Sequence, residues 1–144
     1  MESCRITDEW RYRDLRTVVM ENEFLKVTIL VDLGAKIHEF VYKPSDRDFL
    51  YHHPRVEPRA PTYGVNVDNW WTGGIDDVIP TGHPCLYNGE EYPFLGEVWS
   101  LQWYYDIVNR SKEEVSVHLW RPTIIAPLIY RPTHFGENDH PAQR

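Results

Sequence analysis

From Leu25 to Ile29 the chain alternates apolar and polar residues one for one, with Leu25, Val27 and Ile29 set against Lys26 and Thr28. A period of two sends successive side chains to opposite faces, which suits a strand buried on one side and wet on the other. No stretch of the 144 residues offers a convincing helical period, so the pattern commits the chain to sheets. β-favouring residues also occupy 17–20, and Asp32-Leu33-Gly34 supplies a turn in which Gly34 adopts positive φ at little cost. Residues 35–42 return as a strand that closes a hairpin, 43–48 turn again, and 49–51 read as a further short strand. Strands resume at 103–108 and 115–120, on either side of Asn109-Arg110-Ser111-Lys112. The expected fold is all-β, an antiparallel β-sandwich with long ordered loops, spanning residues 1–130. Residues 1–15 read as an irregular lead-in and the polar residues 131–144 as an irregular tail.

Between residues 53 and 101 the alternation disappears. Pro54, Pro58, Pro61, Pro80, Pro84 and Pro93 break the segment, together with six glycines from Gly64 to Gly96. An aperiodic stretch of about 50 residues inside one domain signals functional loops or disorder. Disorder fits poorly, because Tyr63, Trp70, Trp71, Tyr87, Tyr92, Phe94 and Trp99 fall within it. Rings at that density indicate ordered loops.

Charge narrows the partners. A formal net charge of −7 repels phosphate backbones and anionic lipid, so neither nucleic acid nor a membrane surface is expected. No apolar run approaches the roughly 20 residues that span a bilayer. Met1-Glu2-Ser3-Cys4-Arg5 has charges of both signs and no apolar stretch behind it, which is unlike a secretory signal, so the expected location is cytoplasmic. Cys4 and Cys85 lie far apart without ligand-like spacing, and are expected as reduced thiols. The adjacent His52 and His53 would point to opposite faces of a strand and so would not share a metal. There is no His-x-His, no Gly-rich phosphate loop, no Gly-x-Ser-x-Gly elbow and no Cys-x-x-Cys. Neither a metal nor another cofactor is expected.

Two segments concentrate chemistry. The first is Asn66-Val67-Asp68-Asn69-Trp70-Trp71-Thr72-Gly73-Gly74-Ile75-Asp76-Asp77. A sugar presents flat C–H faces rimmed by hydroxyls, and proteins hold it with aromatic platforms and planar amides or carboxylates. Trp70 and Trp71 are candidate platforms; Asn66, Asp68, Asp76 and Asp77 are candidate rim partners. The alternative is that the tryptophans pack the loop onto the sheet while the acids cap turns beside Gly73 and Gly74. The second segment carries His83, Glu97 and Trp99. A His and a Glu in one pocket can act as acid and base, whereas a lone loop His is ordinarily a surface residue.

Glu21-Asn22-Glu23-Phe24-Leu25-Lys26-Val27-Thr28-Ile29-Leu30 followed by Asp32-Leu33-Gly34-Ala35-Lys36-Ile37 resembles the opening hairpin of the galactose mutarotase-like (aldose 1-epimerase-like) superfamily. The run from Asn69 through Trp70-Trp71-Thr72-Gly73-Gly74-Ile75-Asp76-Asp77 to Gly82, and Pro93-Phe94-Leu95-Gly96-Glu97-Val98-Trp99-Ser100, resemble motifs of its aldose-epimerase-like branch. The resemblance covers about 17–120. It implies the first, N-terminal half of a large mutarotase-like supersandwich, with a carbohydrate ligand held by Asn66, Asp68, Trp70, Trp71, Asp76, Asp77 and Trp99. Members of the family open a sugar hemiacetal with a His as acid and a Glu as base, the base and a further His lying in the second half of the sandwich; within this chain the acid–base candidates are His83 and Glu97. Where the related segment has a His before Gly-Glu, this chain has Leu95, which transfers no proton. The resulting expectation is carbohydrate binding without catalysis by this chain alone. The alternatives are an aldose 1-epimerase completed by a second half, and a non-catalytic structural or interaction protein. A partial sandwich would leave strand edges open to self-association.

Overall fold

The computed structural model describes residues 3–137, with side chains as far as Pro132. Two antiparallel sheets carry the architecture. The first contains β1 (Arg5–Thr7), β2 (Arg11–Tyr12), β3 (Leu15–Glu21), β4 (Leu25–Leu30), β5 (Lys36–Tyr42) and β6 (Arg47–Asp48), in the spatial order β1-β3-β4-β5-β6, with β2 also on β3. A small hairpin follows, β7 (Cys85–Tyr87) and β8 (Glu90–Tyr92). The second sheet centres on β10 (Glu114–Pro122). It is flanked by β9 (Tyr104–Arg110) on one side and by β11 (Ile129–Tyr130) and β12 (Thr133–Glu137) as further partners. No helix among the described residues is long and apolar enough to cross a membrane.

β4 forms where the alternation placed a strand and pairs with both β3 and β5, but its burial does not alternate: Leu25, Lys26 and Val27 are half-buried, and Thr28, Ile29 and Leu30 are all buried. One core joins the two sheets. Ile6, Val18, Met20, Ile29 and Val31 from the first meet Trp103, Val115, Val117 and Leu119 from the second. This packing makes the chain an antiparallel β-sandwich. Trp103 is 0% exposed, and its indole N–H donates to the Val98 carbonyl at 2.9 Å. An aromatic side chain removes roughly 150–250 Å² from water, about 4–6 kcal/mol of transfer free energy for this one residue. Its backbone is tied to the first sheet as well. The Trp103 N–H donates to the Val31 carbonyl at 3.0 Å, and Arg16 Nη2 donates to the Trp103 carbonyl at 3.0 Å while pairing with Asp32 at 2.7 Å.

Three features differ from the sequence expectations. The lead-in is not irregular throughout, because β1 extends the edge of β3 and sends Cys4 and Ile6 into the shared core. Three residues are too few to display a period, so only the pairing partner reveals them. The short strand expected at 49–51 lies instead at Arg47–Asp48, and Phe49 and Tyr51 are exposed. The tail expected to be irregular includes β12, which pairs with β10 from Glu114 to His118. Its residues after Glu137 lie outside the described ones. In the middle segment, β7 and β8 are joined by Asn88-Gly89, both at positive φ, the two-residue turn that matches the twist of a hairpin.

Candidate functional site

The aperiodic segment is held to the sandwich by backbone contacts that only small residues allow. A Cβ on Gly34 would overlap the Trp99 carbonyl, and one on Gly96 would overlap the Ile79 carbonyl; both glycines have positive φ. The two motif-bearing stretches therefore meet, with Ile79 and Gly96 bridged and the Glu97 N–H donating to the Ile79 carbonyl at 2.7 Å. Ahead of them, Asn66 starts a 3-10 turn, Val67–Asn69, by accepting the Asp68 N–H on its side-chain oxygen at 2.9 Å. Asn and Asp favour such local caps because a short polar side chain mimics a backbone acceptor. The turn is anchored by buried Val67 and leaves Asn66 and Asp68 exposed.

Between this turn and residues 93–100 lies a cleft of about 270 Å³. Asn66, Asp68, Phe94, Trp99 and Ser100 are among its lining residues. Small-molecule pockets span roughly 300–1,000 Å³, so this one suits a single ring. Phe94 is 45% exposed and offers a flat apolar surface, while Trp99 and Ser100 are buried in the wall. The Asn66 amide and the Asp68 carboxylate supply donors and an acceptor at the mouth.

The expected site residues are thus only partly assembled. Asn66, Asp68 and Trp99 share the cleft. His83 is exposed and tilted against Phe94 at 6.5 Å, which places it beside one wall. Glu97 lies beneath and is 0% exposed. Its Oε1 accepts the Ile124 and Ile125 N–H groups at 3.1 and 2.6 Å and the Tyr63 hydroxyl at 3.4 Å, and Oε2 accepts the Ala126 N–H at 3.3 Å. The carboxylate expected as a base clamps a loop and is shielded from any ligand. Burial raises the Tyr63 hydroxyl above its ordinary pKa, and the adjacent Glu97 charge adds to the effect.

The remaining candidates lie apart from the cleft lining. Trp70 closes the 3-10 turn with its ring under the Arg59 guanidinium, 3.8 Å from the centroid. Trp71 is partly exposed and stacks on Tyr51 at 5.8 Å and 24°. Asp77 accepts the Tyr130 hydroxyl at 3.2 Å, and burial, then that carboxylate, raises the Tyr130 pKa. Asp76 pairs with Lys36 Nζ at 2.9 Å, their side chains only 10% and 2% exposed. Lys36 also donates to the Gly73 carbonyl, so the pair pins the Gly73-Gly74 loop to β5. Burial lowers the Lys36 pKa from its ordinary value, and Asp76 opposes that shift in part.

No family model matches the chain, and no solved structure matches it.

Phe94 and Ser100 also line the cleft; both lie in the 93–100 motif, but neither was among the expected site residues. Phe94 lies within the motif segment, flanked by Pro93 and Gly96, and that local turn chemistry is the trace by which it could have been found. Lys36 carried no distinct signal in the sequence. A lysine between Ala35 and Ile37 reads as the wet side of a strand until its burial is seen.

Proposed function

We propose that this chain is a mutarotase-like carbohydrate-binding protein that holds one neutral sugar ring in the cleft between residues 64–68 and 93–100. The observation that carries this reading is the pairing of an exposed aromatic face, Phe94, with the Asn66 amide and the Asp68 carboxylate around a cavity of about 270 Å³. The ring's apolar face lies on Phe94 while its hydroxyls bond Asn66 and Asp68. Catalysis is not part of the proposal. Leu95 has no proton to transfer, and both Glu97 oxygens are occupied by donors beneath the surface.

Titration of galactose and glucose, followed by tryptophan fluorescence and calorimetry, tests it. Saturable binding of at least one hexose is expected. Asp68→Ala is expected to weaken it about tenfold, in line with the ~1.5 kcal/mol of a hydrogen bond to a charged acceptor. Polarimetry is expected to show no acceleration of mutarotation. Absence of saturable binding, or an Asp68→Ala variant that binds as the parent does, would remove the reading. Accelerated mutarotation would replace it with the epimerase alternative.

A second reading, an interaction protein, is favoured by the β7–β8 hairpin. Leu86 and Tyr87 are 71% and 64% exposed there, and apolar side chains displayed on a projecting element suit a partner surface. Concentration-dependent sedimentation that Leu86→Ser abolishes would support it.

A further inference from the structure

A second constellation lies on the outer face of the other sheet, away from the segments used above. β9 alternates without a break: Tyr105 and Ile107 pack against the core, while Tyr104, Asp106 and Val108 face outward. On β10 the core takes Val115, Val117 and Leu119, leaving His118 exposed and Trp120 half-buried on the outside. The register sets Tyr104 opposite Trp120 and Asp106 opposite His118. Cross-strand neighbours on one face are close enough to act together. The two rings stack at 5.9 Å and 27°. Arg121 lies 5.9 Å from the Tyr104 centroid and donates to the Gln102 carbonyl at 3.0 Å, which steadies that end of the platform. Asp106, His118, Trp120 and Arg131 then line a groove of about 400 Å³.

Charge gives this face its character. The chain carries a net charge of −7, yet the groove sets Arg131 against the single carboxylate of Asp106, and a second guanidinium, Arg121, lies outside the lining at the Tyr104 end of the aromatic pair. The groove on the outer face of the first sheet, beside Trp10, differs in kind. There Lys26 pairs with Glu39 at 3.3 Å and Thr28 donates to Glu39 at 2.7 Å, so its polar groups are spent on one another. Among the described residues, no ion pair or side-chain hydrogen bond engages Asp106, His118 or Arg131. A stacked aromatic pair beside one uncommitted guanidinium, an imidazole and one acceptor matches a ligand that has flat C–H faces, hydroxyls and a negative charge. A nucleic acid strand also has flat faces and negative charge, but the field of the whole chain repels a polyanion of that density.

We propose that the groove beside the Tyr104–Trp120 pair, lined by Asp106, His118, Trp120 and Arg131, is a binding site for an acidic saccharide, a uronate-containing oligosaccharide. The sugar rings lie along the aromatic pair, Arg131 and His118 hold the carboxylate, and Asp106 accepts from a ring hydroxyl. The proposal does not rest on the neutral-sugar reading of the cleft.

Calorimetric titration of the full chain with trigalacturonic acid and with neutral galactotriose tests it, using Trp120→Ala, Arg131→Gln and, as the cleft control, Asp68→Ala. Saturable binding of the acidic trimer is expected. It should be weakened tenfold or more by Trp120→Ala and by Arg131→Gln, weakened by added salt, and unchanged by Asp68→Ala. The neutral trimer should bind this groove at least tenfold more weakly and be indifferent to Arg131→Gln. Far-UV circular dichroism checks that each variant folds, and Tyr104→Ala substitutes if Trp120→Ala does not. Any one of four results overturns the proposal: no binding of the acidic trimer, equal affinity for both trimers, sensitivity to Asp68→Ala alone, or a Trp120→Ala effect on sedimentation with none on saccharide affinity. The last would assign the face to a second copy of the chain. Because the cleft is read with neutral hexoses and Asp68→Ala, failure of one site is distinguishable from failure of the other.

Discussion

Replacing Glu97 by Ala is expected to lower the stability of this protein by about 3 kcal/mol, measured by urea unfolding with circular dichroism. The side chain is 0% exposed and takes the N–H groups of Ile124, Ile125 and Ala126. A buried donor left without an acceptor costs about 1–3 kcal/mol. Three donors would cost more than the stated figure if none could relax, but Ile124 is 50% exposed and its N–H can turn to water. Glu97→Gln keeps one acceptor oxygen and sets an amide N–H₂ against the remaining donors, so a loss on the order of 1 kcal/mol is expected. The Ala variant should also disturb the cleft, because Gly96 and Trp99 on either side of Glu97 line it. A Glu97→Ala variant within 0.5 kcal/mol of the parent would show that the loop at 124–126 does not depend on this carboxylate.

The second large effect concerns Lys36 and Asp76. Removing one member of a buried ion pair typically costs about 3–5 kcal/mol, because an unpaired charge stays in a poorly solvated place. Asp76→Ala is therefore expected to destabilise by about 3 kcal/mol, with Lys36 Nζ left to the Gly73 carbonyl alone. Exchanging both, Lys36→Met with Asp76→Leu, is expected to restore most of that loss, since apolar replacement of a buried pair is often neutral or stabilising. A double variant as unstable as the sum of the singles would mean that the two side chains act independently.

The same pair has a pH signature. Burial holds the folded-state pKa of Lys36 below its ordinary 10.5. Between those two values the unfolded chain binds more protons than the folded one, so this residue's contribution makes stability rise with pH through that window. The contribution is fully present above 10.5 and is lost as pH falls through the folded value. Tyr63, Tyr105 and Tyr130 act in the opposite sense above their ordinary 10.0, because their folded-state values are raised. The informative quantity is the difference between the parent and the double variant. That difference should shift in the parent's favour as pH rises towards 10.5, and a flat difference would contradict the buried, charged Lys36.

Local pattern was enough to announce the strands that hold the sandwich together. β4 has an alternating run, β5 returns from a turn containing Gly34, and β10 carries Val115, Val117 and Leu119 at every second position. β1 and β12 were not legible. The first is too short to show a period, and the second has polar composition; each exists because an adjacent strand offers unpaired backbone groups. The candidate site divides along the same line. Asn66 and Asp68, expected as rim partners, reach one cleft because both sit on a single tight turn, where nearness in sequence is nearness in space. The burial of Glu97 was not legible, since its acceptors' partners lie 27–29 residues further on. Nor was the capture of Asp76 by a lysine 40 residues away.

By itself, then, the sequence determined an all-β chain, the main hairpins and a loop segment rich in rings and acids, because periodicity, turn chemistry and composition act over a few neighbouring residues. Only the tertiary structure decided which of those acids face a cleft, which are consumed in holding loops to the sheets, and that Tyr104 and Trp120 form an outward platform. Those outcomes depend on which distant segments are brought within hydrogen-bonding range, and no local pattern encodes that distance.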